Sequence, residues 1–416
     1  MADRRREVAI IGGGIGGLTL ALELHARGIP FRIYEAAPEF RPLGVGLNLL
    51  PHAIKALNAL GLQEALLERG IETREYRFYT RHGQLVQSEE RGRYAGYEWP
   101  QISIHRGDLH EVLVNAVLER GGPDSIRMGH RCVDVDQTGD HAIVKCVDAV
   151  TGEPLPDATA DVAIACDGVH SIVRTKFHPD EAVPRYEGTM NYRGTTRWKP
   201  FLTGQTMIYM GTTETGKLIL YPIRDDIDAE GNQLINWVIE LQRPSDMLLR
   251  DWNRTSDINE FIGNFEDCDF DFLNIPALMR AADHVFEYPM CDQEPLNFWT
   301  VGRITLLGDA AHPMMPRGSN GAAQAILDAE VLSDLLAKRE DWPAALKDYE
   351  KIRLGATSSV VLANRDMAPD AILRVVDERT GGKPFANIDD VVSPEERDAW
   401  QSRYKQTVGF AVDQLK

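Results

Sequence analysis

Residues 8–17 read VAIIGGGIGG, a short apolar run followed at once by a cluster of glycines. The apolar run is typical of a buried β-strand, and the apolar residues after Gly17 have the spacing of an α-helix. A second short strand follows that helix and ends in Glu35. Gly12, Gly14 and Gly17 match a GxGxxG turn, whose backbone approaches a pyrophosphate, while the carboxylate accepts from a ribose hydroxyl. The pattern predicts a dinucleotide-binding unit; the alternative is an ordinary glycine-rich turn.

Length and composition exclude several classes of protein. The chain has 416 residues, of which 43% are hydrophobic and 26% charged, which suits two domains of an ordinary globular protein. The net charge of −18 disfavours nucleic acid as a partner, because binding to phosphates needs basic residues. No apolar stretch approaches the ~20 residues of a membrane helix, and the N-terminal residues lack a signal-peptide core. We therefore expect a cytoplasmic protein without a membrane partner. Five cysteines without CxxC spacing predict buried thiols rather than a metal site or a redox disulfide.

Two further acidic residues follow predicted strands. A strand over residues 161–166 closes on Asp167, and a strand over residues 304–307 closes on Asp309. Prolines and glycines then form a turn before a helix that passes residue 328. Open α/β sheets bind ligands beyond the carboxyl ends of their strands, and a helix N-terminus favours an anion. These stretches therefore predict a polar pocket at the sheet edge.

Residues 183–290 differ from the rest of the chain, because strand-like runs recur there among dispersed aromatic residues. We expect an antiparallel sheet that roofs a pocket, although the same rings also suit an ordinary core. A hairpin over residues 74–89 is predicted to lie outside the nucleotide-binding unit. Helices are predicted over residues 249–265, 275–282 and 342–364, with a capping box at Ser393 starting one more helix in the tail.

Three local features have two interpretations each when the residues are considered alone. Arg106 stands near the start of a predicted helix, where the dipole disfavours a cation, so either an anionic ligand or solvent surrounds it. The glycines of residues 41–48 suit close passage of the backbone past a flat group, or an ordinary loop. His170 lies in a turn after Asp167, and there a surface position is preferred over catalysis.

Together, and in this order, these stretches resemble the class A flavoprotein aromatic hydroxylases, which are single-component FAD monooxygenases. The resemblance rests on residues 10–17, RPLGVGLN at residues 41–48, SIHRGDL at residues 103–109, Asp167-Gly168, and residues 303–328. Within that family the stretches are most similar to the phenazine-1-carboxylate hydroxylase and 3-hydroxybenzoate hydroxylase type. The resemblance covers nearly the whole chain.

The resemblance implies an α/β fold (α+β overall). A Rossmann-like FAD-binding fold of the GR2 type is expected to carry an antiparallel-sheet substrate domain and C-terminal helices. The expected FAD-binding domain is discontinuous and comprises residues 1–75, 102–178 and 291–365. Residues 76–101 and 179–290 are expected to form the substrate-binding sheet domain, and residues 366–416 a helical tail.

The resemblance also implies roles for single residues. The glycines of the first turn would hold the pyrophosphate of FAD, and Glu35 its adenosine ribose. Asp309 is expected at the ribityl hydroxyls and Pro316 against the isoalloxazine ring. Arg106 is expected at a phosphate or the ribityl chain, and the Asp167-Gly168 motif serves both FAD and NAD(P)H. The full set of predicted FAD-binding residues is Gly12, Gly14, Ile15, Gly16, Gly17, Glu35, Arg41, Val45, Gly46, Arg106, Val133, Asp167, Gly168, Gly308, Asp309, Pro316, Gly318, Asn320 and Gly321.

The chain departs from the family at residues 318–321, which read GSNG after Arg317, where many members read GQG. Backbone N–H groups at the start of the following helix would still favour the negative charge of a reduced flavin. Contacts to the flavin edge and the preference for substrate are expected to be particular to this chain at that position.

The activity implied by the resemblance is that of an FAD-dependent monooxygenase. It would use NAD(P)H and O2 to hydroxylate an aromatic or N-heteroaromatic small molecule, bearing a carboxylate or hydroxyl group, through a flavin C4a-hydroperoxide. Tyr221, Tyr192 and Pro316 are predicted to be catalytic, and no metal is expected. For any one tyrosine, core packing is an equally good interpretation. The predicted substrate-binding residues are Tyr192, Arg193, Tyr209, Tyr221, Met314 and Arg317.

Two alternative functions stay open on these grounds. One is an FAD-dependent oxidoreductase that does not insert oxygen, and the other is a non-catalytic sensor that binds FAD or NAD(P)H. The small aromatic substrate and O2 are the expected partners of the main interpretation, and the protein is expected to be a monomer or a homodimer.

Overall fold

The computed structural model describes residues 6–40, 45–181, 184–243, 254–366, 370–409 and 411–415. The predicted cofactor residue Arg41 lies outside the described residues, as do residues 249–253 of the predicted helix over residues 249–265.

The strands vary from two to fourteen residues. In chain order they are β1 (Val8–Ile11), β2 (Phe31–Tyr34), β3 (Gly46–Leu49), β4 (Ile71–Glu72), β5 (Glu75–Tyr79), β6 (Leu85–Glu90), β7 (Ile102–His105), β8 (Ile126–Arg127), β9 (His130–Thr138), β10 (His141–Asp148), β11 (Ala158–Ala160), β12 (Val162–Ala165), β13 (Arg185–Trp198), β14 (Thr206–Met210), β15 (Lys217–Arg224), β16 (Gln233–Gln242), β17 (Arg254–Thr255), β18 (Asp269–Phe270), β19 (Leu273–Asn274), β20 (Val285–Asp292), β21 (Thr300–Val301) and β22 (Ile304–Leu306). The helices are α1 (Ile15–Ala26), α2 (Pro51–Ala59), α3 (Gln63–Leu67), α4 (Arg106–Gly121), α5 (Ile172–Phe177), α6 (Ile275–Arg280), α7 (Asn320–Lys338), α8 (Trp342–Asp366), α9 (Ala371–Thr380) and α10 (Pro394–Val408).

A parallel sheet brings the three predicted motifs to one edge. Its strand order is β21-β22-β12-β1-β2-β8, and only β21 is antiparallel to its neighbour. Strands β1, β12 and β22 are fully buried, as expected of strands covered on both faces. Their carboxyl ends therefore align, and Gly12, Asp167 and Asp309 follow these ends within one to three residues. The predicted α/β architecture is confirmed.

An eight-stranded sheet, in the order β17-β20-β13-β16-β15-β14-β5-β6, forms the second large layer. It is antiparallel except for the pair β5 and β14, which is parallel. The predicted hairpin over residues 74–89 is present as β5 and β6 and provides an edge of this sheet. Because side chains alternate along a strand, each strand contributes to two separate surfaces. One surface is a core with Trp237 and Phe261. The other carries Tyr221 and Arg193, and Asn236 on that same surface accepts from the N–H of Gly46.

Most of the remaining predicted elements are present, with one error. The tail helix begins at Ser393, whose hydroxyl accepts from the backbone N–H of Glu396 at 3.3 Å. In the described part of the predicted helix over residues 249–265, the chain instead forms β17 and short 3₁₀ turns. Asp257 explains part of this, since its carboxylate accepts from the N–H of Asn259 and competes with helical hydrogen bonding.

The largest core joins the parallel sheet to α1, α2, α4, α7 and α8. The cysteines are all free thiols, and three of the five are buried. No helix in the described part of the chain has the length and apolarity needed to cross a membrane. Among the same residues, His, Cys, Asp and Glu form no cluster suited to a metal ion.

Candidate functional site

The glycine-rich turn between β1 and α1 is shaped by close backbone contacts. Gly12 has a φ of +101°, and a Cβ there would lie 2.5 Å from the carbonyl oxygen of Cys166. A Cβ on Gly17 would lie 2.1 Å from the carbonyl oxygen of Gly12. A Cβ on Gly14 would meet nothing within 4 Å. Gly12 and Gly17 thus build the turn, whereas Gly14 borders open space at the N-terminus of α1, where N–H groups attract an anion.

Two neighbouring side chains hold this turn. The Glu35 carboxylate accepts from the N–H of Gly13 at 2.6 Å and from that of Ala37 at 2.7 Å. The His110 ring, on α4, lies 2.8 Å from the carbonyl oxygen of Gly13 through its Nε2. His110 was not found from the sequence, since no motif marks it, and only the packing of α4 against α1 reveals it.

Asp309 follows β22, and its side chain is exposed although protein groups surround it closely. Burial raises the pKa of this carboxyl above its usual range, and His312 and Arg106 oppose that rise. Asp309 follows the carboxyl end of β22, so it lies on the wall of the space at this edge of the parallel sheet, which we call the recess. A Cβ on Gly321, at the start of α7, would lie 3.9 Å from its Oδ1.

Asp328 lies beneath this wall and is fully buried. Its carboxylate accepts from the N–H of Gly308 at 3.1 Å, from Nε2 of His312 at 2.6 Å and from Nε of Arg353 at 2.6 Å. Burial alone would raise the pKa of Asp328, but His312 and Arg353 outweigh it and hold the pKa at about 2. The role of Asp328 as the anchor of the Gly308 turn was not predicted, because its partners are distant in the sequence.

Asp167 follows β12 and contributes one unsatisfied oxygen. Its Oδ2 accepts from the N–H of Ile172 at 3.0 Å, whereas Oδ1 is buried and has no hydrogen-bond partner in the part of the chain that the structure describes. Burial raises the pKa of this carboxyl. The next residue, Gly168, has a φ of +75°, so it allows the turn there.

The remaining residues of the predicted FAD set occupy varied positions. Arg106 is exposed at the start of α4, and its N–H donates to the carbonyl oxygen of Val45 at 3.0 Å. Gly46 packs against the eight-stranded sheet, and its N–H donates to Oδ1 of Asn236 at 2.7 Å. Val133 is exposed on the edge strand β9.

Near the start of α7, Pro316 is exposed and Gly318 has a φ of +67°. The side chain of Asn320 donates to Oδ1 of Asn364 at 3.1 Å. In α1, Ile15 is half-buried, and a Cβ on Gly16 would lie 2.8 Å from Leu307.

Tyr221 and Arg193 lie on the surface of the eight-stranded sheet that faces the recess. Burial raises the pKa of Tyr221 and lowers the pKa of Arg193, and each group acts electrostatically on the other. The positive charge of Arg106 also lowers the pKa of Arg193, and the same charge opposes the rise in the pKa of Asp309. Nε of Arg193 donates to Oδ1 of Asn191 at 2.8 Å. Arg193 is therefore within electrostatic range of both Tyr221 and Arg106.

Tyr192 does not lie with them, which corrects the prediction that it faces the substrate. It is adjacent to Arg193 in β13, so its side chain points to the opposite surface. There its ring lies 4.6 Å from that of Phe261, and its hydroxyl accepts from Nε of Arg243 at 3.3 Å. Tyr209 lies on the same surface as Tyr221, where it stacks on Phe78 with 5.2 Å between ring centroids.

Arg317 is a second correction, because the structure places it in an ion-pair network rather than free for a substrate carboxylate. It donates to Glu187 at 2.9 Å, and its Nη2 lies 3.5 Å from Oε2 of Glu240. The same Glu240 oxygen lies 3.3 Å from Nζ of Lys217. Buried cations need such counter-charges. Met314 is half-buried against a small cluster that includes Leu50.

The residues at the sheet edge fit a dinucleotide cofactor. The open side of Gly14 and the N–H groups of α1 suit a pyrophosphate, and the exposed carboxylate of Asp309 suits a chain of hydroxyl groups. The unsatisfied Oδ1 of Asp167 is a further acceptor in the turn beside Gly12. The arrangement therefore provides both ends of a site for a cofactor such as FAD.

Comparisons with known proteins agree with this fit. The family model described as FAD binding domain matches residues 5–239 and 291–363. The chain is 41% identical over 363 residues to phenazine 1,6-dicarboxylic acid hydroxylase of Lysobacter antibioticus, covering 86% of this chain and 89% of that protein. It is 30% identical over 376 residues to 3-hydroxybenzoate 6-hydroxylase of Polaromonas naphthalenivorans, covering 86% of each.

Solved structures share the fold. A salicylate hydroxylase substrate complex superposes with a TM-score of 0.74 at 23% identity, covering 100% of this chain and 98% of that one. HpxO of Klebsiella pneumoniae, complexed with FAD and uric acid, superposes with a TM-score of 0.71 at 22% identity and covers 99% and 96% of the two chains. The chain belongs to the FAD-binding-domain family, and it is an FAD-dependent monooxygenase that uses NAD(P)H and O2 to hydroxylate aromatic or heteroaromatic small molecules.

Proposed function

We propose that the substrate is an aromatic or N-heteroaromatic ring bearing a carboxylate, and that Arg193 and Tyr221 bind it. The observation that carries this proposal is the position of Arg193, a half-buried cation that shares one surface of the eight-stranded sheet with Tyr221. A cation partly removed from water favours an anionic partner. The relatives named above act on phenazine 1,6-dicarboxylic acid and 3-hydroxybenzoate, which both carry carboxylates on aromatic rings.

The predicted FAD residues retain their roles in this proposal. The turn of Gly12, Gly14 and Gly17 would hold the pyrophosphate, and Asp309 the ribityl hydroxyls. When bound and reduced by NAD(P)H, FAD supplies the activated oxygen that is transferred to the ring. The protein's part is to position the ring, to exclude water and to provide hydrogen bonds from Arg193 and Tyr221. Tyr192, on the opposite surface of the sheet, is not part of this set.

We expect Gly14→Ala to weaken FAD binding by about tenfold or more while the apoprotein keeps its stability. Gly14 has a φ of −76° and a ψ of −177°, which alanine adopts without strain. The added methyl group would project into the open space proposed for the pyrophosphate, and a displaced charge-assisted hydrogen bond forfeits about 1.5–3 kcal/mol. FAD titration of the apoprotein measures the Kd, and thermal unfolding measures stability.

Gly355→Ala is the matched control, since a methyl group there also meets nothing within 4 Å but lies on α8. Its Kd for FAD should equal that of the wild type. An unchanged Kd in Gly14→Ala would contradict the pyrophosphate assignment.

We expect Arg193→Met to raise the Kd for a carboxylated substrate by about 10- to 100-fold, because a hydrogen bond to a charged group contributes about 1.5–3 kcal/mol. Arg193→Lys should recover part of the loss, since it keeps the charge without the planar fork. The carboxamide analogue of the same substrate should bind wild type and Arg193→Met about equally. If Arg193→Met loses the same affinity for the acid and for the amide, the proposed contact between Arg193 and the carboxylate is wrong.

A panel of paired aromatic acids and amides tests the substrate class. NAD(P)H oxidation, product formation and H2O2 should be measured together under labelled O2. We expect label in the product for carboxylated rings and mainly slow H2O2 release for the amides. Label incorporated only from rings without a carboxylate would overturn the proposed class.

We also propose that the protein acts in the cytoplasm as a monomer or homodimer, with the domain boundaries predicted from the sequence. The free cysteines support a reducing compartment. Light scattering of the purified protein would decide between the two oligomeric states.

A further inference from the structure

Asn364, near the C-terminal end of α8, contacts both ends of residues 315–320, which include the stretch where the chain departs from its family. Its Nδ2 donates to the carbonyl oxygen of Met315 at 3.2 Å, and its Oδ1 accepts from Nδ2 of Asn320 at 3.1 Å. Asn364, Met315 and Asn320 are all fully buried. One short side chain therefore spans the segment that leads into α7.

The backbone of this segment has an unusual shape. The carbonyl oxygen of Met315 also accepts from the N–H of Arg317 at 2.7 Å, which closes a three-residue turn around the exposed Pro316. Gly318 and Ser319 then have φ values of +67° and +61°. A serine in the left-handed region is strained, and it keeps that conformation only when its surroundings hold it there. The segment therefore depends on contacts from outside it.

The middle of the segment is held to the eight-stranded sheet. Nη2 of Arg317 lies 2.8 Å from Oε2 of Glu187 on β13 and 3.5 Å from Oε2 of Glu240 on β16. These ion pairs fix one side chain of the segment. Asn364 instead holds the backbone at Met315 and the first residue of α7, so the two sets of contacts complement each other.

The contacts explain why an amide stands at position 364. The carbonyl oxygen of Met315 needs a donor and the Nδ2 group of Asn320 needs an acceptor, and a primary amide offers both on one short side chain. The orientation of the amide follows, because with Nδ2 on a carbonyl oxygen only Oδ1 can accept from Asn320. An apolar residue would take away both hydrogen bonds from groups that are buried, and buried polar groups without partners are costly.

We infer that Asn364 is a positioning residue, which holds residues 315–320 so that Pro316 and the N–H groups at the start of α7 keep their places beside the flavin. This inference rests on the proposed function, in which these residues border FAD. Because Asn364 is fully buried, it acts through Met315 and Asn320. A displaced segment would change the geometry between flavin and substrate, and rates of reaction are more sensitive to such geometry than cofactor affinity is.

Asn364→Ala in the holoenzyme tests the inference. We expect the single-turnover rate of hydroxylation to fall by about tenfold to 100-fold, because a misplacement of ~1 Å near the reacting groups can have an effect of that size. The visible spectrum of the bound flavin should shift as well. The Kd for FAD should stay near that of the wild type, since Gly14 and Asp309 are unaltered. If either the rate or the spectrum stays as in the wild type, the inference is wrong.

Ser333→Ala is the matched control, because it also removes a fully buried polar side chain close to α8's partner helix. Ser333 lies in the C-terminal half of α7, and its hydroxyl donates to the carbonyl oxygen of Glu330 in the same helix at 2.9 Å. Its flavin spectrum and hydroxylation rate should equal those of the wild type. If Ser333→Ala changes both as much as Asn364→Ala does, the effect comes from general stability and the inference is wrong.

A double-mutant cycle with Asn320→Ala tests the contact itself. Asn320→Ala and Asn364→Ala each remove the hydrogen bond between the two amides, so the double variant should lose less activity than the two single losses combined. Fully additive losses would mean that Asn364 acts independently of Asn320, and would overturn the inference.

Gly321→Ala separates this inference from the proposed function. A methyl group there would lie 3.9 Å from Oδ1 of Asp309, in the space proposed for the flavin. If Gly321→Ala leaves the flavin spectrum and the Kd for FAD unchanged, the start of α7 does not border FAD and the proposed placement is wrong. If Gly321→Ala changes them and Asn364→Ala does not change the spectrum, the placement stands and the positioning role of Asn364 is wrong.

Discussion

Asp328→Ala is expected to lower the free energy of unfolding of the holoenzyme by about 3–5 kcal/mol, the usual cost of removing one partner of a buried ion pair. The variant would leave Arg353 as a buried cation without its main counter-charge, and the N–H of Gly308 without its acceptor. Because Gly308 begins the turn that carries Asp309, FAD affinity should fall with stability. Denaturant unfolding with and without added FAD measures both effects.

Asp334→Ala provides the control on the same helix. Asp334 pairs with Lys338 at 2.7 Å across one helical turn, and the side chains are 42% and 69% exposed, respectively. Such pairs contribute about 0.3–0.5 kcal/mol, so the control should be nearly as stable as the wild type. A loss of stability in Asp328→Ala no larger than in Asp334→Ala would contradict the anchoring role.

The stability that Asp328 contributes to the folded protein depends on pH in a defined direction. The folded pKa of Asp328, about 2, lies below the usual value of 3.8, so its charged form is stabilised by folding. That contribution is fully present above about pH 4 and is lost as the pH falls through about 2. The stability difference between the wild type and Asp328→Asn should therefore be constant from neutral pH to about pH 4 and shrink below it.

Asp309→Ala should raise the Kd for FAD by about 10- to 100-fold, with a much smaller effect on the stability of the apoprotein. Its carboxylate is exposed on the wall of the recess, so folding depends little on it. Hydroxyl groups of a ribityl chain would donate to it, and hydrogen bonds to a charged acceptor contribute about 1.5–3 kcal/mol. Fluorescence titration of the apoprotein with FAD measures the change.

Asp309→Asn separates charge from shape at this position. The amide keeps one acceptor oxygen, so it should retain part of the affinity that alanine loses. The raised pKa of Asp309 also predicts that FAD affinity weakens on acidification, since protonation turns the acceptor into a neutral group, and that Asp309→Asn lacks this dependence. Equal FAD affinity in the wild type and Asp309→Ala would contradict the proposal that Asp309 binds the ribityl hydroxyls.

The local motifs were predictable because their chemistry is carried by neighbouring residues. Gly12 and Gly17 are glycines since a Cβ would collide with backbone at 2.5 Å and 2.1 Å, and this need is visible in the spacing alone. The strand over residues 8–11 and its helix follow from hydrophobic periodicity. Asp167 and Asp309 were assigned correctly to strand ends, and parallel pairing then brings them to one edge.

The errors have a different origin. Tyr192 and Arg193 are adjacent, so one faces the core and the other the recess, but the period of two does not say which. That choice depends on how β13 pairs with β16 and β20, and a shift of one residue would exchange the two surfaces. Arg317 was expected at the substrate, yet Glu187 and Glu240 reach it from distant strands.

The sequence by itself determined the FAD-binding turn, the acids at the strand ends and the family of the chain, because each of these is encoded within a few neighbouring residues. The tertiary structure decided which side chains share the recess. Arg193 and Tyr221 come from two separate strands, and Asp328 meets Arg353 across two helices. Such contacts depend on strand register and helix packing over long separations, which local periodicity does not specify.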